Sequence, residues 1–554
     1  MRTRVLSLTA AALLVLALFG ADPVSYAATD EEIENSIVMG LAWLAEQQDP
    51  VDGGWGLPWD CDRVSRTGLA LLKFETRAHE LRLDPLGPEY EYGDQVAMGL
   101  AYLVTQGWSI PIVPQPAGDP DGNGNGLGMY FTGCGGHQTY NSGIALMALV
   151  ASGHPELYGV TAQDTLDYLA FAQVEAGCPV DPPECAGFNR GGWGYEHNTC
   201  DWSDNSNGGY ASLGIGFAAA PAPFGFGLTI PAFVPTELSL WLSVLQDPVN
   251  GDADDGGSWY NPCWLWSPWV NILKTGNMLY EMALTGDTPT TARVMDAIDY
   301  IERHWNDPAG CDAGWRGHRQ AMFTMMKGFE ALNIDLLDLD GDGVPETDWF
   351  DAVSTELVMT QNPDGSWPWD CWGDQVLSTA WALLTLERAV PPVEFRVFVD
   401  IKPQSCPNPF NVGPADPYAL ATARKTLGVL PVAVLGTADF DVLTIDPATI
   451  ALSREGVVDE NGDPVFVRPS RYAFEDVATP FEGELCDCHT LGPDGYTDLT
   501  LKFRTLEVIE ALQLSDVLGQ SVALSVTGNL WPEAGEPGPG QAFHGEDCVW
   551  VLGE

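Results

Sequence analysis

Gln361-Asn362-Pro363-Asp364-Gly365-Ser366-Trp367 closes one apolar segment and turns the chain into the next. Upstream, the same grammar recurs: an aromatic, an aliphatic, three residues, Gln, then a loop with Gly-x-Trp. It is complete in Trp43-Leu44…Gln48 with Gly53-Gly54-Trp55, in Tyr168-Leu169…Gln173 with Gly191-Gly192-Trp193, and in Trp241-Leu242…Gln246 with Gly257-Ser258-Trp259. Tyr300-Ile301…Trp305 puts Trp in place of Gln and is followed by Ala313-Gly314-Trp315. Tyr102-Leu103…Gln106 is one residue short, lacks the Trp and carries a Gly-rich insertion, Gly118 to Gly128. Each loop leads into a second apolar segment: 67–81, 140–151, 208–219, 270–284, 319–332 and 375–387. Their apolar residues fall at helical spacing, as in Ile144, Leu146, Met147, Leu149 and Val150. A repeating unit of this size is one supersecondary element that cannot bury both faces alone, so stacking supplies the core. Residues 30–390 therefore predict six helical hairpins, a mainly α domain in which Gly permits positive φ and Gln reaches unpaired helix-terminal groups.

The Gln-x-x-x-Gly-x-Trp string resembles the QW repeat of squalene and oxidosqualene cyclases, and Gly40…Trp43-Leu44…Gln48…Gly53-Gly54-Trp55 matches its fuller form with one extra loop residue. Asp204-Asn205-Ser206-Asn207, before Gly208, resembles a helix start of bacterial members of that superfamily. The resemblance to the prenyltransferase and squalene-cyclase superfamily covers residues 30–390 and implies an (α/α)6 toroid. It also implies chemistry, which the residues match only in part. Asp252-Ala253-Asp254-Asp255 repeats the cyclases' Asp-x-Asp-Asp acid, yet stands in the loop before Gly257-Ser258-Trp259 rather than on the inner helix after it. Asp60-Cys61 and Asp370-Cys371 hold the residue types of the prenyltransferase zinc site without its Asp-x-Cys spacing. Gly133-Cys134-Gly135-Gly136-His137-Gln138 places Gln one residue too far from Cys for the thioester of the complement-type toroids.

Composition changes at Ala389-Val390-Pro391-Pro392-Val393, with 391–394 as a linker. Residues 395–554 follow with β-rich runs at 395–401, 428–435, 499–503, 521–527 and 548–552, separated by Gly, Pro and Asp turns, and predict a β-sandwich. Asp400-Ile401-Lys402-Pro403…Cys406-Pro407-Asn408 and Gly545-Glu546-Asp547-Cys548 resemble an accessory domain of secreted bacterial proteins.

The N-terminus has the form of a secretory signal, 1–27: Arg2 and Arg4, an apolar run from Leu8 to Phe19, and Ser25-Tyr26-Ala27 as the cleavage site. The mature protein is expected outside the cytoplasm, with no stable membrane insertion. Lys and Arg total 24 against 77 Asp and Glu, a net charge of −53 that excludes nucleic acid and anionic surfaces as partners. Twelve cysteines in an exported chain predict disulfides. Cys61, Cys134, Cys200, Cys263, Cys311 and Cys371 occur once per repeat, so neighbouring loops could be cross-linked, for example Cys61 with Cys371 where the ring closes. Cys178 and Cys185 bracket an insertion and are expected to pair locally.

Asp338-Leu339-Asp340-Gly341-Asp342-Gly343, with Glu346 and Asp348, has the alternating oxygen ligands of a structural calcium loop, although Trp349 replaces the EF-hand's twelfth residue. Asp121, Asn123 and Asn125 form a poorer copy. All six inner helices are expected to begin at one end, so Asp60, His137, His197, Asp201, Asp204, His318, Asp370 and Asp374 can rim one cavity. Asp at such positions also caps helices. The sequence reads first as a secreted ligand-binding or structural scaffold with a central cavity for a small-molecule, lipid or glycan ligand. An isoprenoid-acting cyclase or prenyltransferase and a polysaccharide lyase or hydrolase are the alternatives. A deep apolar cavity points to isoprenoids; an open one with Tyr, His, Asn and Arg points to glycans.

Overall fold

In the computed structural model of the chain, the structure describes residues 27–175, 187–197, 202–248, 251–262, 269–311, 314–389, 395–413, 428–437, 440–454, 456–458, 465–481, 485–486, 489–531 and 542–553. Of the expected signal segment 1–27 only Ala27 is among these residues, and the expected linker 391–394 lies outside them.

Twelve α-helices make up the first part among the described residues. The odd-numbered ones are α1 (Asp30–Glu46), α3 (Gly93–Thr105), α5 (Pro155–Ala172), α7 (Phe233–Leu245), α9 (Ala292–His304) and α11 (Trp349–Thr360). The even-numbered ones are α2 (Arg63–Glu80), α4 (Gln138–Ala151), α6 (Asn205–Ala219), α8 (Ile272–Leu284), α10 (Arg319–Leu332) and α12 (Gln375–Leu386). The even set coincides within a few residues with the second apolar segments of the repeats. These helices are buried on nearly every side, as in α4 from Asn141 to Ala151, whereas α1 buries only the stripe Ser36, Ile37, Gly40, Leu41 and Leu44. That contrast is the signature of an inner and an outer layer. Each even helix packs on the next, from α2 through to α12, and α12 packs on α2 and α1.

The repeat motif works through backbone carbonyls. Gln48 Nε2 donates to Gly53 O and to Gln95 O of the next outer helix, both at 2.8 Å. Gln173 makes the same pair with Gly191 and Val234, Gln246 with Gly256 and Arg293, and Gln361 with Gly365 and Ser36. The Gln361 pair thus joins the sixth repeat to the first. The motif tryptophans turn inward: Trp55, Trp193 and Trp367 donate Nε1 to Leu44 O, Leu169 O and Leu357 O of their own outer helices. The helix ends at Gln361 itself, so the motif glycine does not cap it. Gly365 instead takes φ +95° in the following turn, where a Cβ would run into Met39 O. In the short second repeat, Gln106 Nε2 reaches only Thr105, and the insertion forms the hairpin β1 (Gly107–Pro111) and β2 (Leu127–Phe131). Strands β3 (Leu336–Leu337) and β4 (Thr347–Asp348) bracket the acidic loop.

The C-terminal part is strand-rich. One sheet orders as β10 (Arg471–Glu475), β11 (Asp498–Arg504), β8 (Val429–Val434) and β6 (Val399–Ile401). The other orders as β5 (Phe395–Arg396), β13 (Ala542–Gly553), β12 (Ser521–Leu530) and β9 (Ile445–Ser453), with β7 (Pro409–Gly413) also parallel to β13. Val432, Val434, Leu499 and Leu501 from the first sheet share one apolar core with Ile450, Leu452, Leu524, Val526, Val549 and Val551 from the second. A short helix, α13 (Thr505–Ala511), adds Val508 and Ile509. This core is separate from that of the helices. No helix among the described residues is long and apolar enough to cross a membrane.

Three disulfides join described residues: Cys61–Cys134, Cys311–Cys371 and Cys486–Cys548. The expected Cys61–Cys371 bond is therefore corrected. The first two bonds join loops of consecutive repeats, first to second and fifth to sixth, and the third lies in the C-terminal part. Beside the Gln361 bond to Ser36, ion pairs rather than a disulfide cross the contact between the sixth and first repeats. Arg66 pairs with Asp60 at 3.0 Å and Asp374 at 2.6 Å, and Lys73 pairs with Glu387 in the buried layer below. Cys178, Cys185, Cys200 and Cys263 lie outside the described residues.

Candidate functional site

A cavity of about 390 Å³ opens where the even-numbered helices begin, and all six contribute to its wall. From α2 and its approach come Asp62, Ser65 and Arg66; from α4, His137 and Tyr140; from α6, Asn205 and Ser206 with Tyr195 ahead of them. Trp269, Asn271 and Lys274 enter at α8 with Tyr260, Gln320 at α10, and Trp372, Leu377 and Trp381 at α12.

Two side chains in this wall depart from what their positions call for. Asp62 is the residue ahead of α2 and His137 the residue ahead of α4, where a side chain normally accepts from exposed backbone N–H groups. Neither makes such a bond. Asp204 and Asp374, in the same position on α6 and α12, both do. Asp62 and His137 turn to each other instead, with Nδ1 of the ring 2.7 Å from Oδ1 of the carboxylate. His137 holds this orientation at φ 56° and ψ 34°, a left-handed conformation costly for a residue with a Cβ. The hydrogen bond that His137 Nδ1–H donates to Asp62 raises the His137 pKa above its ordinary value, burial opposing it, and the same bond holds Asp62 below the usual carboxylate range. Among the described residues no hydrogen bond engages His137 Nε2. The Cys61–Cys134 disulfide ties the two loops that carry the pair.

Tyr195 stacks on the His137 ring at 4.7 Å, and its hydroxyl lies 3.1 Å from that of Tyr260. Burial pushes both phenols up, so both stay protonated donors at neutral pH. The aromatic wall continues through Tyr260 to Trp269 at 5.3 Å and Trp269 to Trp372 at 5.7 Å, with Lys274 Nζ 3.7 Å above the Trp269 ring.

Of the rim residues expected from sequence, His137 lines the cavity. Asp60 and Asp374 stand one contact behind it, both spent on Arg66. Asp204 is wholly buried beneath, its oxygens taken by Trp202, Ser206 and Asn207; burial raises its pKa. His197 is directed away, Nδ1 3.1 Å from Gln138 Oε1, its ring among Tyr130, Tyr168 and Phe171. His318 and Asp370 form a second pair at 3.0 Å, with side chains 2% and 0% exposed. Burial works against the Asp370 carboxylate, but His318 and two backbone donors hold its pKa below the ordinary value. Asp201 lies outside the described residues. Sequence reasoning missed Asp62, Tyr195, Tyr260, Trp269, Lys274 and Trp372. Asp62 alone carried a signal, as the acid adjoining Cys61 at a helix start.

Outside the cavity, carboxylate oxygens of Asp338, Asp340, Asp342 and Glu346 all lie within 4.8 Å of one another. Asp338 accepts the backbone N–H groups of Gly341, Asp342 and Gly343, which wraps the loop around the acids. Such a group of carboxylates is a set of oxygen donors close enough together to hold a metal ion. Asp348 stands apart from it, capping α11 through Phe350 and Asp351. Asp121 folds its loop through the same three bonds, but Asn123 and Asn125 give their amide N–H groups to Asp164, both at 2.8 Å. Asp252 to Asp255 form a loop that receives Arg303 and His304 on its carbonyls and contributes nothing to the cavity. Cys61 and Cys371 are both bonded to other cysteines, so neither supplies the thiolate a prenyltransferase-type zinc site needs.

No family model and no curated protein matches the chain. Solved structures are similar at low identity. A type II terpene cyclase, MstE from Scytonema, with its substrate geranylgeranyl dihydroxybenzoate, is 14% identical, with 65% of this chain and 98% of that one covered, at a TM-score of 0.35. An α-1,6-mannanase of Salegentibacter in complex with α-1,6-mannotriose is 9% identical over 64% and 98%, at 0.41. Cellobiose 2-epimerase from Bacillus thermoamylovorans is 13% identical over 65% and 99%, at 0.36. At these TM-scores the likenesses carry no chemistry across to this chain.

Proposed function

We propose that residues 30–390 form a closed (α/α)6 toroid whose cavity is the active site of an exported glycan-acting enzyme, a polysaccharide hydrolase or lyase. The observation that carries this is the Asp62–His137 pair: two residues in capping positions that forgo capping to face each other in the cavity wall. The imidazolium form of His137, which Asp62 favours, gives its Nε2 proton to the glycosidic oxygen as it leaves. In a hydrolase the C1–O bond breaks, and water adds hydroxyl to C1 and loses its other proton to solvent. In a lyase the C4–O bond breaks as the C5 proton is lost to solvent. The ring regains its proton from solvent in both. Asp62 fixes the ring and balances its charge. The Tyr195 and Tyr260 hydroxyls donate to sugar oxygens, and the aromatic wall takes the C–H faces of the rings. Among the polar groups of the wall, the half-exposed Asp62 and His137 offer a carboxylate and an imidazole that an isoprenoid would desolvate without replacing their contacts with water, which counts against a cyclase reading. In the same reading the two C-terminal sheets make a β-sandwich, and Asp338, Asp340, Asp342 and Glu346 hold calcium to brace the fold.

The mature protein, incubated with a panel of neutral and acidic extracellular polysaccharides, is expected to release new reducing ends, with unsaturated ends as well if it is a lyase. His137→Ala should lower the rate by about 10²–10⁴ without loss of binding. Binding of a glycan with no cleavage, equal in wild type and variant, would overturn the enzyme and leave a ligand-binding scaffold.

A further inference from the structure

The repeat tryptophans Trp55, Trp193, Trp315 and Trp367 are all 1% exposed or less, and Trp259 is half-buried. Apart from Trp108, Trp531 and Trp550, which lie elsewhere at 59%, 54% and 38%, three tryptophans are exposed among the described residues: Trp59, Trp369 and Trp372, at 78%, 74% and 57%. All three belong to loops that begin α2 or α12. Trp59 adjoins Asp60, and Trp372 stands two residues before Asp374, the acids that share Arg66. Trp369 adjoins Asp370 on the same turn as Trp372. The three indoles therefore sit on the two loops that meet at one sector of the cavity mouth. Trp372 belongs to both regions, since it lines the cavity and continues the aromatic file from Tyr260 through Trp269.

We propose that these tryptophans are a stacking platform that carries a glycan chain out over the rim, so that the substrate is a polymer rather than a free mono- or disaccharide. This rests on the glycan reading above. The cavity, about 390 Å³, lies near the low end of the roughly 300–1,000 Å³ usual for small-ligand sites, and encloses only a short segment of a chain. A longer chain must leave through the mouth, and it meets indole faces there. Bare apolar rings on a protein of net charge −53 are otherwise a cost in water. Pyranose rings suit them because one face of the sugar is C–H, which an indole face takes, and its edge is hydroxyl, for which the part-exposed Asp60 carboxylate stands beside Trp59.

The test uses the full mature chain on an array of oligosaccharides from neutral and acidic polysaccharides, each spotted as disaccharide and hexasaccharide. Wild type is expected to hold at least one hexasaccharide far more tightly than its disaccharide. Trp59→Ala and Trp369→Ala should each weaken hexasaccharide binding roughly three- to tenfold and leave the disaccharide unchanged. Thermal melts of both variants should match wild type, because the rings are exposed. Equal binding of long and short forms, unaffected by either substitution, would overturn the platform while leaving a glycan cavity in place. Capture of no glycan at all would overturn the glycan reading itself.

Discussion

Asp62 and His137 show how little distance separates a cap from a candidate catalytic group. Both occupy the position that Asp204 and Asp374 use for capping, but Asp204 and Asp374 have extended backbone there, whereas Asp62 does not and His137 is left-handed, and their side chains turn to each other. The consequence is measurable through protons. Asp62 raises the His137 pKa, so the protonated acid persists to higher pH than free histidine would. Activity that needs this proton is present below that pKa and lost as pH rises through it. Asp62→Asn removes the charge, lowers the His137 pKa, and should move the alkaline limb of the pH–rate profile to lower pH. An unmoved limb would assign the proton to another group. His318 and Asp370 offer a comparison, a pair of the same composition that is buried and closed to substrate.

The hairpin repeats depend on two small devices, a Gln that spans carbonyls of adjacent repeats and a Gly that fits under the next outer helix. They are not equal. Gln361→Ala deletes two hydrogen bonds and should cost about 1–3 kcal/mol. Gly365→Ala must place a Cβ at positive φ against Met39 O, and should cost more than the Gln change in the same urea titration. The Cys61–Cys134 bond works at this level too. It closes 73 residues, and Cys61→Ser with Cys134→Ser should cost about 2–4 kcal/mol on the chain-entropy view. Because the bond ties the loops of Asp62 and His137, this double variant is also expected to shift the pH–rate profile towards that of Asp62→Asn. A lower melting temperature with an unchanged profile would confine the disulfide to stability.

Across the whole molecule, 77 acidic residues against 24 basic ones make self-repulsion a standing cost of the folded state. Sodium chloride should raise the melting temperature by screening, and millimolar calcium should raise it further at matched ionic strength. Asp338→Asn with Asp340→Asn should abolish the calcium-specific part and leave the salt effect intact. If calcium adds nothing beyond ionic strength in wild type, the acidic loop is a solvated turn.

Helix positions and the main β runs were legible in the chain because they depend on spacing over a few residues: apolar residues at helical period, Gln at the end of an apolar segment ahead of Gly-x-Trp, acids at helix starts. The even helices begin and end within a few residues of the segments read from that spacing. The residues that face one another were not legible. Asp62 meets His137 across 75 residues and Arg66 meets Asp374 across 308, and no local pattern records either. The same holds for the disulfides, where one cysteine per repeat was visible but Cys61 choosing Cys134 over Cys371 was not. Which acid caps and which turns into the cavity depends on the neighbour that packing brings beside it. The chain by itself specifies the repeating unit, and the packing of one unit on another makes the site.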